Sequence, residues 1–280
     1  MFKTLKAYKI LLRRYLIAKE IRNFDKVTDI EFDEKLSIIP NGYLSGRIDD
    51  FFQTPGFSQR MRDSSMRRPP KANERVYLDW SIPEFVWETL LTSQNLTETV
   101  QGYLGKNARL DDLYVKTVCD GLQSVSEGWH DDNVGYRLKF FMVFDTEGEA
   151  SGTILIPQKR PNLYQVSLYD ELKRIHGDPN KNYRGKEIVM NYKAGDFLLF
   201  DTNNPHRGDY SSNEGTRFCL IAEFIDREKA NKLRGKAPCG PGQAKFKIKI
   251  PKLNETNVLT HALIDNKLLH SNDGYYTYGY

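Results

Sequence analysis

Six short segments between residues 110 and 226 do most to limit what this chain can become. LDDLYVKTVCDG, YRLKFFMVFDT, SGTILIPQ, KEIVMNY, GDFLLFDT and TRFCLIAEFI are rich in Val, Ile, Phe, Tyr and Leu, and clusters of Gly, Asp, Asn and Pro separate them. Such residues suit a pleated, half-buried backbone, and most of the segments are too short for an ordinary helix. Repeated at close intervals with turn residues between, they predict an antiparallel sandwich or barrel from about 110 to 226. One insert, residues 159–185, interrupts the series and is expected to carry a short helix near 167–175. With 39% hydrophobic and 12% aromatic residues in 280, the chain can fill such a core, and nothing in its composition points to disorder over most of its length.

The flanks read differently. Over residues 1–22, Leu5, Tyr8, Leu12, Tyr15 and Leu16 recur at the spacing of one helix face, and residues 1–30 hold eight Lys/Arg against three Asp/Glu. Two readings follow: the stripe packs on the domain, which is the usual fate of such a helix and the favoured one, or it lies on an anionic membrane surface. Residues 52–75, FQTPGFSQRMRDSSMRRPPKANER, have little periodicity and read as a loop or linker. Residues 82–105 return to a helical pattern, with Val86, Leu90 and Leu91 on one side and an end at Gly102 or Gly105. Residues 229–252 carry eight Lys/Arg and no acid, and KFKIKI alternates as an exposed or edge strand does; a solvated edge explains this better than nucleic-acid contact. The expected division is a basic helix and linker over 1–75, a β domain with leading helices over 76–228, and a basic extension over 229–280.

Cys119, Cys219 and Cys239 lie far apart with no CxxC spacing, which argues against a zinc ribbon or a disulfide framework and for a reducing compartment. Lys and Arg interrupt the first segment repeatedly, whereas a secretory core needs about 7–15 apolar residues and a spanning helix about 20. The expectation is a cytoplasmic protein, peripheral to a membrane if the first helix binds one.

The chemistry gathers at GWHDDN, residues 128–133, just before the apolar run RLKFFMVF. In extended backbone, residues two apart share a face, so His130 and Asp132 converge while Asp131 points away. His206 follows the strand-like FLLFD among turn residues, with Asp201 the competing polar group of that loop. Two histidines and one carboxylate form the facial triad of a non-haem iron(II) oxygenase, with positions left for an oxo acid and O2. Arg217, on an apolar strand, needs an anionic partner, and a carboxylate held by its fork would supply one. Lys139 and Arg207 are cationic and near; surface ion pairing is the simpler account of both. Each piece alone is weak, since HxD is common and a lone histidine beside a strand is more often structural. The order and strand placement of the pieces agree with one another.

The run WHDD…LKFFMVFD…SGTILIP…YKAGDFLLFDTNNPHRG…TRFCLIAEF resembles the phytanoyl-CoA dioxygenase-like family of Fe(II)/2-oxoglutarate-dependent oxygenases. The likeness covers roughly residues 80–226. It implies a double-stranded β-helix (jelly-roll, cupin-like) core, mainly β with flanking helices. It implies Fe(II) bound by His130, Asp132 and His206, with 2-oxoglutarate and O2 as cosubstrates. It also implies Arg217 on the far carboxylate of 2-oxoglutarate, with Phe141 and Thr153 lining that pocket. A carboxylate at 132 implies hydroxylation, because halogenating relatives have Gly or Ala there. The chain departs from the family at Pro157-Gln158-Lys159-Arg160, where P-G-S-H is usual, and this bears on the substrate more than on the chemistry. The basic linker and tail suggest an anionic substrate, small or linked to a lipid or glycan. Two alternatives stand beside this reading: a metal cupin that uses no 2-oxoglutarate, and a non-catalytic β-helix module binding at a membrane or glycan surface.

Overall fold

The computed structural model describes residues 2–24, 36–38, 40–67, 76–79, 81–119, 128–131, 135–149, 152–158, 172, 183, 185–209, 215–233, 248–251, 269–272 and 275–278. Nine strands build the domain: β1 (Tyr43–Arg47), β2 (Val76–Asp79), β3 (Ala108–Cys119), β4 (Leu138–Glu147), β5 (Gly152–Leu155), β6 (Ile188–Met190), β7 (Asp196–Asp201), β8 (His206–Asp209) and β9 (Thr216–Asp226). The larger sheet has the order β1-β7-β4-β9-β3-β2, and the smaller has the order β6-β5-β8. His130 extends the smaller sheet through an antiparallel bridge to His206. The antiparallel pairs are nested: β3 with β9, residue 130 with β8, β4 with β7, and β5 with β6. First pairs with last and each inner pair follows suit, which is the double-stranded β-helix, or jelly roll.

Alternation along the strands gives the larger sheet two covered faces. Its outer face presents Phe140, Met142, Phe144, Phe197, Leu199, Leu220 and Phe224 to one core cluster, which it shares with the helices. Burying a Phe or Leu fully contributes about 1.5–3 kcal/mol relative to exposure, so this face binds the helical layer strongly. The inner face turns Val143, Leu198, Phe200, Cys219 and Ile221 towards Leu155 of the smaller sheet and Tyr192. The candidate site lies between the sheets.

The helical layer comprises α2 (Ile48–Phe52), α3 (Phe57–Arg62), α4 (Glu84–Thr92) and α5 (Gln94–Leu104). The single helix expected over 82–105 is two, broken at Ser93. The Ser93 side chain accepts from the Leu96 amide at 3.1 Å and so caps α5. Gly105, at φ +90°, closes it. The stretch read as a linker, 52–75, contains α3. The carboxylate of Asp49 accepts from the amides of Gly56 and Ser58 at 3.0 and 2.7 Å, pinning the start of that helix, and Phe57, Met61 and Met66 are buried in the core. The boundary at 75 also differs from the structure, because β1 pairs with β7 and Ile48, Phe51 and Phe52 belong to the same core as β4.

The helix over residues 1–22 is α1 (Phe2–Ile21), but its stripe does not pack on the domain. Leu5, Tyr8, Leu12, Tyr15 and Leu16 are exposed, and the helix docks instead through Ile17 and Ile21 against Ile225 and Ala230. Ala230 lies on α6 (Arg227–Leu233), directly after β9. In the tail, β10 (Ile248–Pro251), β11 (Leu269–Asn272) and β12 (Tyr275–Tyr278) form a separate sheet of order β10-β12-β11. The insert 159–185, including the helix expected near 167–175, lies outside the described residues except for positions 172, 183 and 185. Cys119 and Cys219 are free thiols, and Cys239 lies outside the described residues. No helix among the described residues is long and apolar enough to cross a membrane.

Candidate active site

His130 and His206 come together because two backbone hydrogen bonds join them. The His130 amide donates to the His206 carbonyl at 3.1 Å, and the His206 amide donates to the His130 carbonyl at 2.9 Å. Their rings end with centroids 4.2 Å apart. Each Nδ1 lies against a carbonyl, Gly128 O at 2.8 Å for His130 and Asn204 O at 2.9 Å for His206. A carbonyl can only accept, so each Nδ1 carries a proton, and in the neutral form of either ring the lone pair falls on Nε2. This is how metal-binding histidines are usually oriented.

The turn before β8 is built to hold that geometry. The Asn204 side chain donates to Gly42 O at 3.0 Å and accepts from the Gln158 amide at 2.9 Å, while its own carbonyl takes His206 Nδ1. It thereby ties the turn before β1, the end of β5 and the histidine into one unit. Gly42, at φ +78°, is required here: a Cβ would stand 2.6 Å from the Gln158 carbonyl oxygen. Asp201 is fully buried and accepts from the Asn203 amide at 2.7 Å and from its side chain at 2.6 Å. Burial pushes its carboxyl up to about 7. Asp201 therefore shapes the loop and does not line the cavity.

A cavity of about 90 Å3 opens beside the two rings, lined among others by Lys116, Lys139, Phe141, Thr153, Arg207 and Arg217. Arg217 is 6% exposed; its Nη1 donates to Thr153 Oγ1 at 3.5 Å, and its Cζ lies 5.2 Å from the centre of the Tyr192 ring. Phe141 and Cys219 add apolar wall, and Phe200 meets the His206 ring edge-on at 5.0 Å. Burial pushes the Cys219 thiol up to about 11, so it lines the cavity as a small neutral group. Five of the six residues singled out in the sequence, His130, His206, Arg217, Phe141 and Thr153, thus face one space. Asp132 lies outside the described residues. No group of three metal-binding side chains occurs among the described residues, so the structure itself displays a two-histidine arrangement.

Three neighbours differ from the sequence expectation. Asp131 does not line the cavity, yet it is no bare loop acid: it is half-buried and accepts a hydrogen bond from Tyr183. Arg207 shows no ion pair among the described residues, and the ion pair of Lys139 is largely buried. The Arg207 guanidinium sits 5.1 Å from the centre of the Trp129 ring, and Lys139 Nζ lies 3.3 Å from the buried carboxylate of Glu223. Glu223 also accepts from Arg137 and, at 3.1 Å, from Tyr114, and Arg137 reaches Asp111 at 3.0 Å. Of this ionic network, Lys139 is the member that lines the cavity.

Lys116, on β3, is a site residue that the sequence reading missed. Burial, and then the positive charges of Arg217 and Lys139, lower its ammonium from the usual lysine range to about 8. Lys116, Arg217 and Lys139, on adjacent strands of one sheet, line the same cavity, Lys139 with its charge offset by Glu223, and Arg207 adds a cation from the smaller sheet. Such a wall favours an anionic guest carrying more than one charge.

No family model matches the sequence, and no curated protein matches it. Among solved structures, it is similar to EctD from S. alaskensis with 2-oxoglutarate and 5-hydroxyectoine, at 14% identity and a TM-score of 0.46, over 73% of this chain and 82% of that one. It is similar to the non-heme alpha ketoglutarate dependent carbocyclase SnoK from nogalamycin biosynthesis, at 11% identity and a TM-score of 0.43, over 71% and 85%. It is also similar to the epimerase SnoN in complex with Fe3+, alpha ketoglutarate and nogalamycin RO, at 12% identity and a TM-score of 0.40, over 66% and 79%.

Proposed function

We propose that this chain is an Fe(II)/2-oxoglutarate-dependent oxygenase. The observation that carries the proposal is the pairing of two oriented histidines with a buried arginine across one small cationic cavity. The chemistry of the donors fits the metal: two imidazoles with Nδ1 engaged and Nε2 left to bind suit a borderline divalent ion, and the Asp132 carboxylate, two residues from His130 in the sequence, would complete the facial set. When bound, iron(II) in such a site couples the conversion of 2-oxoglutarate and O2 into succinate and CO2 to oxidation of a substrate C–H bond.

The residues of the chain supply the rest. Arg217 would hold the far carboxylate of 2-oxoglutarate, with the Thr153 hydroxyl beside it, and so orient the keto acid. Phe141, Cys219 and Ile221 line the cavity with apolar surface, which would limit water at the reacting end. Asn204 and Gly128 hold the imidazoles in the tautomer that the metal needs. Lys116 and Arg207 give the cavity positive charge beyond the need of one carboxylate, which supports an anionic substrate, small or linked to a lipid or glycan. A carboxylate at 132, as a metal ligand, would take the position that a halide needs, which supports hydroxylation as the reaction.

The test is succinate release from 2-oxoglutarate with Fe(II) under air, first without added substrate and then with anionic candidates. Turnover that disappears in Asp132→Ala supports the proposal. Protein that binds iron but never binds 2-oxoglutarate would be a metal cupin of another kind. Protein that binds neither would be a non-catalytic module.

A further inference from the structure

Helix α1 carries two apolar faces, and the structure uses only one. Ile17 and Ile21 dock against Ile225 and Ala230, and Ala7 is buried as well. Leu12 and Ile21 are nine residues apart, which at about 100° per residue places them on opposite sides of the helix. Docking of the Ile21 side therefore fixes the Leu12 side outward. On that side Leu5 is 54% exposed, Tyr8 54%, Leu12 60%, Tyr15 64% and Leu16 51%. These five make up nearly all of the large exposed hydrophobic side chains among the described residues, where Val189 is the other. From Leu5 to Leu16 the stripe runs about 17 Å along the helix.

Charge indicates what covers the stripe. The helix holds Lys3, Lys6, Lys9, Arg13, Arg14 and Lys19 against the single acid Glu20. Lys6, Lys9, Arg13 and Lys19 are exposed. A second copy of the chain laid on this stripe would bring two strongly basic helices together and be repelled. A surface of anionic lipid headgroups meets both requirements: its acyl boundary accepts Leu and Tyr, and its phosphates attract long basic side chains that reach outward from the helix.

We infer that α1 seats the protein on an anionic lipid bilayer, lying in the headgroup plane with Leu5, Tyr8, Leu12, Tyr15 and Leu16 inserted and the basic side chains at the phosphates. The inference stands on α1 alone and does not depend on the chemistry of the cavity. The opposite face of α1 packs beside the end of β9, the strand that carries Arg217.

The experiment is co-sedimentation of the whole protein with vesicles of phosphatidylcholine alone and of phosphatidylcholine with about one-third phosphatidylglycerol, at moderate and at high salt. Binding to the anionic vesicles that falls with salt is expected, with little binding to the neutral ones. Lys6→Gln with Lys9→Gln should weaken that binding about 30-fold, from the usual contribution of each basic side chain near an anionic surface. Leu5→Ser with Leu12→Ser should abolish it. All four positions are exposed, so the circular dichroism spectrum and melting temperature should match wild type. The inference is overturned if wild-type protein ignores anionic vesicles or binds neutral ones equally well. It is also overturned if the protein is a dimer in solution that Leu5→Ser with Leu12→Ser makes monomeric. Loss of succinate release in Asp132→Ala with vesicle binding intact would leave this inference standing, so the two proposals can fail separately.

Discussion

Replacing Arg217 by Met keeps most of the side-chain volume at a buried position and removes one charge from the cavity wall. If Arg217 holds the far carboxylate of 2-oxoglutarate, the variant loses a charge-assisted contact in a site only 6% exposed. Truncating one side of such a buried charged pair costs about 2–5 kcal/mol. At about 1.4 kcal/mol per tenfold change, the dissociation constant for 2-oxoglutarate should rise between about 30-fold and a few thousand-fold. The loss should fall on the cosubstrate alone, because the histidines are oriented by Gly128 and Asn204, which Arg217 does not touch in the contacts described above. Lys116 should respond too. Arg217 is the second cause of its lowered pKa after burial, so its ammonium should titrate above its present value of about 8 in the variant. The assay is anaerobic calorimetric titration of 2-oxoglutarate into protein loaded with Mn(II), with metal content measured in parallel. Unchanged 2-oxoglutarate affinity at full metal loading would refute the assignment of Arg217.

Much of the frame was legible because its strands are apolar runs between turn residues. β3, β4, β5, β6, β7 and β9 all fall on segments expected to be strands. β1 (YLSGR) and β8 (HRGD) were not legible, since an edge strand with few apolar residues resembles a loop. α3 was hidden for a related reason: only Phe57 and Met61 mark its buried side, amid Ser, Gln and Arg. Lys116 illustrates the subtler limit. In LYVKTVC its alternation with Val115 and Thr117 reads as a strand with a wet face. Here the other face of β3 is also covered, by the smaller sheet, and the polar position points into the cavity instead of solvent. A sequence gives the alternation; whether a second layer covers the polar face depends on partners far along the chain. The histidines were findable because HxD and a later histidine after a strand have a spacing that chemistry explains. Their bridge was not, because it joins residues 76 positions apart.

Four further outcomes follow from the same geometry. Asp132→Ala should lose iron on dialysis, whereas Asp131→Ala should keep it and lose only the anchor of Tyr183; metal analysis of the two proteins separates the roles. Affinity for 2-oxoglutarate, or for another dianion, should fall as pH rises through about 8, since Lys116 is charged below that value and neutral above it, and Lys116→Met should flatten this step. The sign for stability is opposite: the folded pKa is lowered, so the unfolded chain binds the extra proton between about 8 and 10.5, and the Lys116 contribution to stability should improve as pH rises through that window, which urea melts would register. Glu223→Gln should destabilise the fold by about 1.5–3 kcal/mol, because Arg137 and Lys139 lose a carboxylate they share while Arg137 keeps Asp111; chemical denaturation measures this.

The most direct test of the oxygenase proposal is a crystal structure grown without oxygen, with Mn(II) in place of iron and with 2-oxoglutarate. The account predicts one metal bound by His130 Nε2, His206 Nε2 and the Asp132 carboxylate, with the far carboxylate of 2-oxoglutarate on Arg217. A metal bound elsewhere, or 2-oxoglutarate seated away from Arg217, would contradict it.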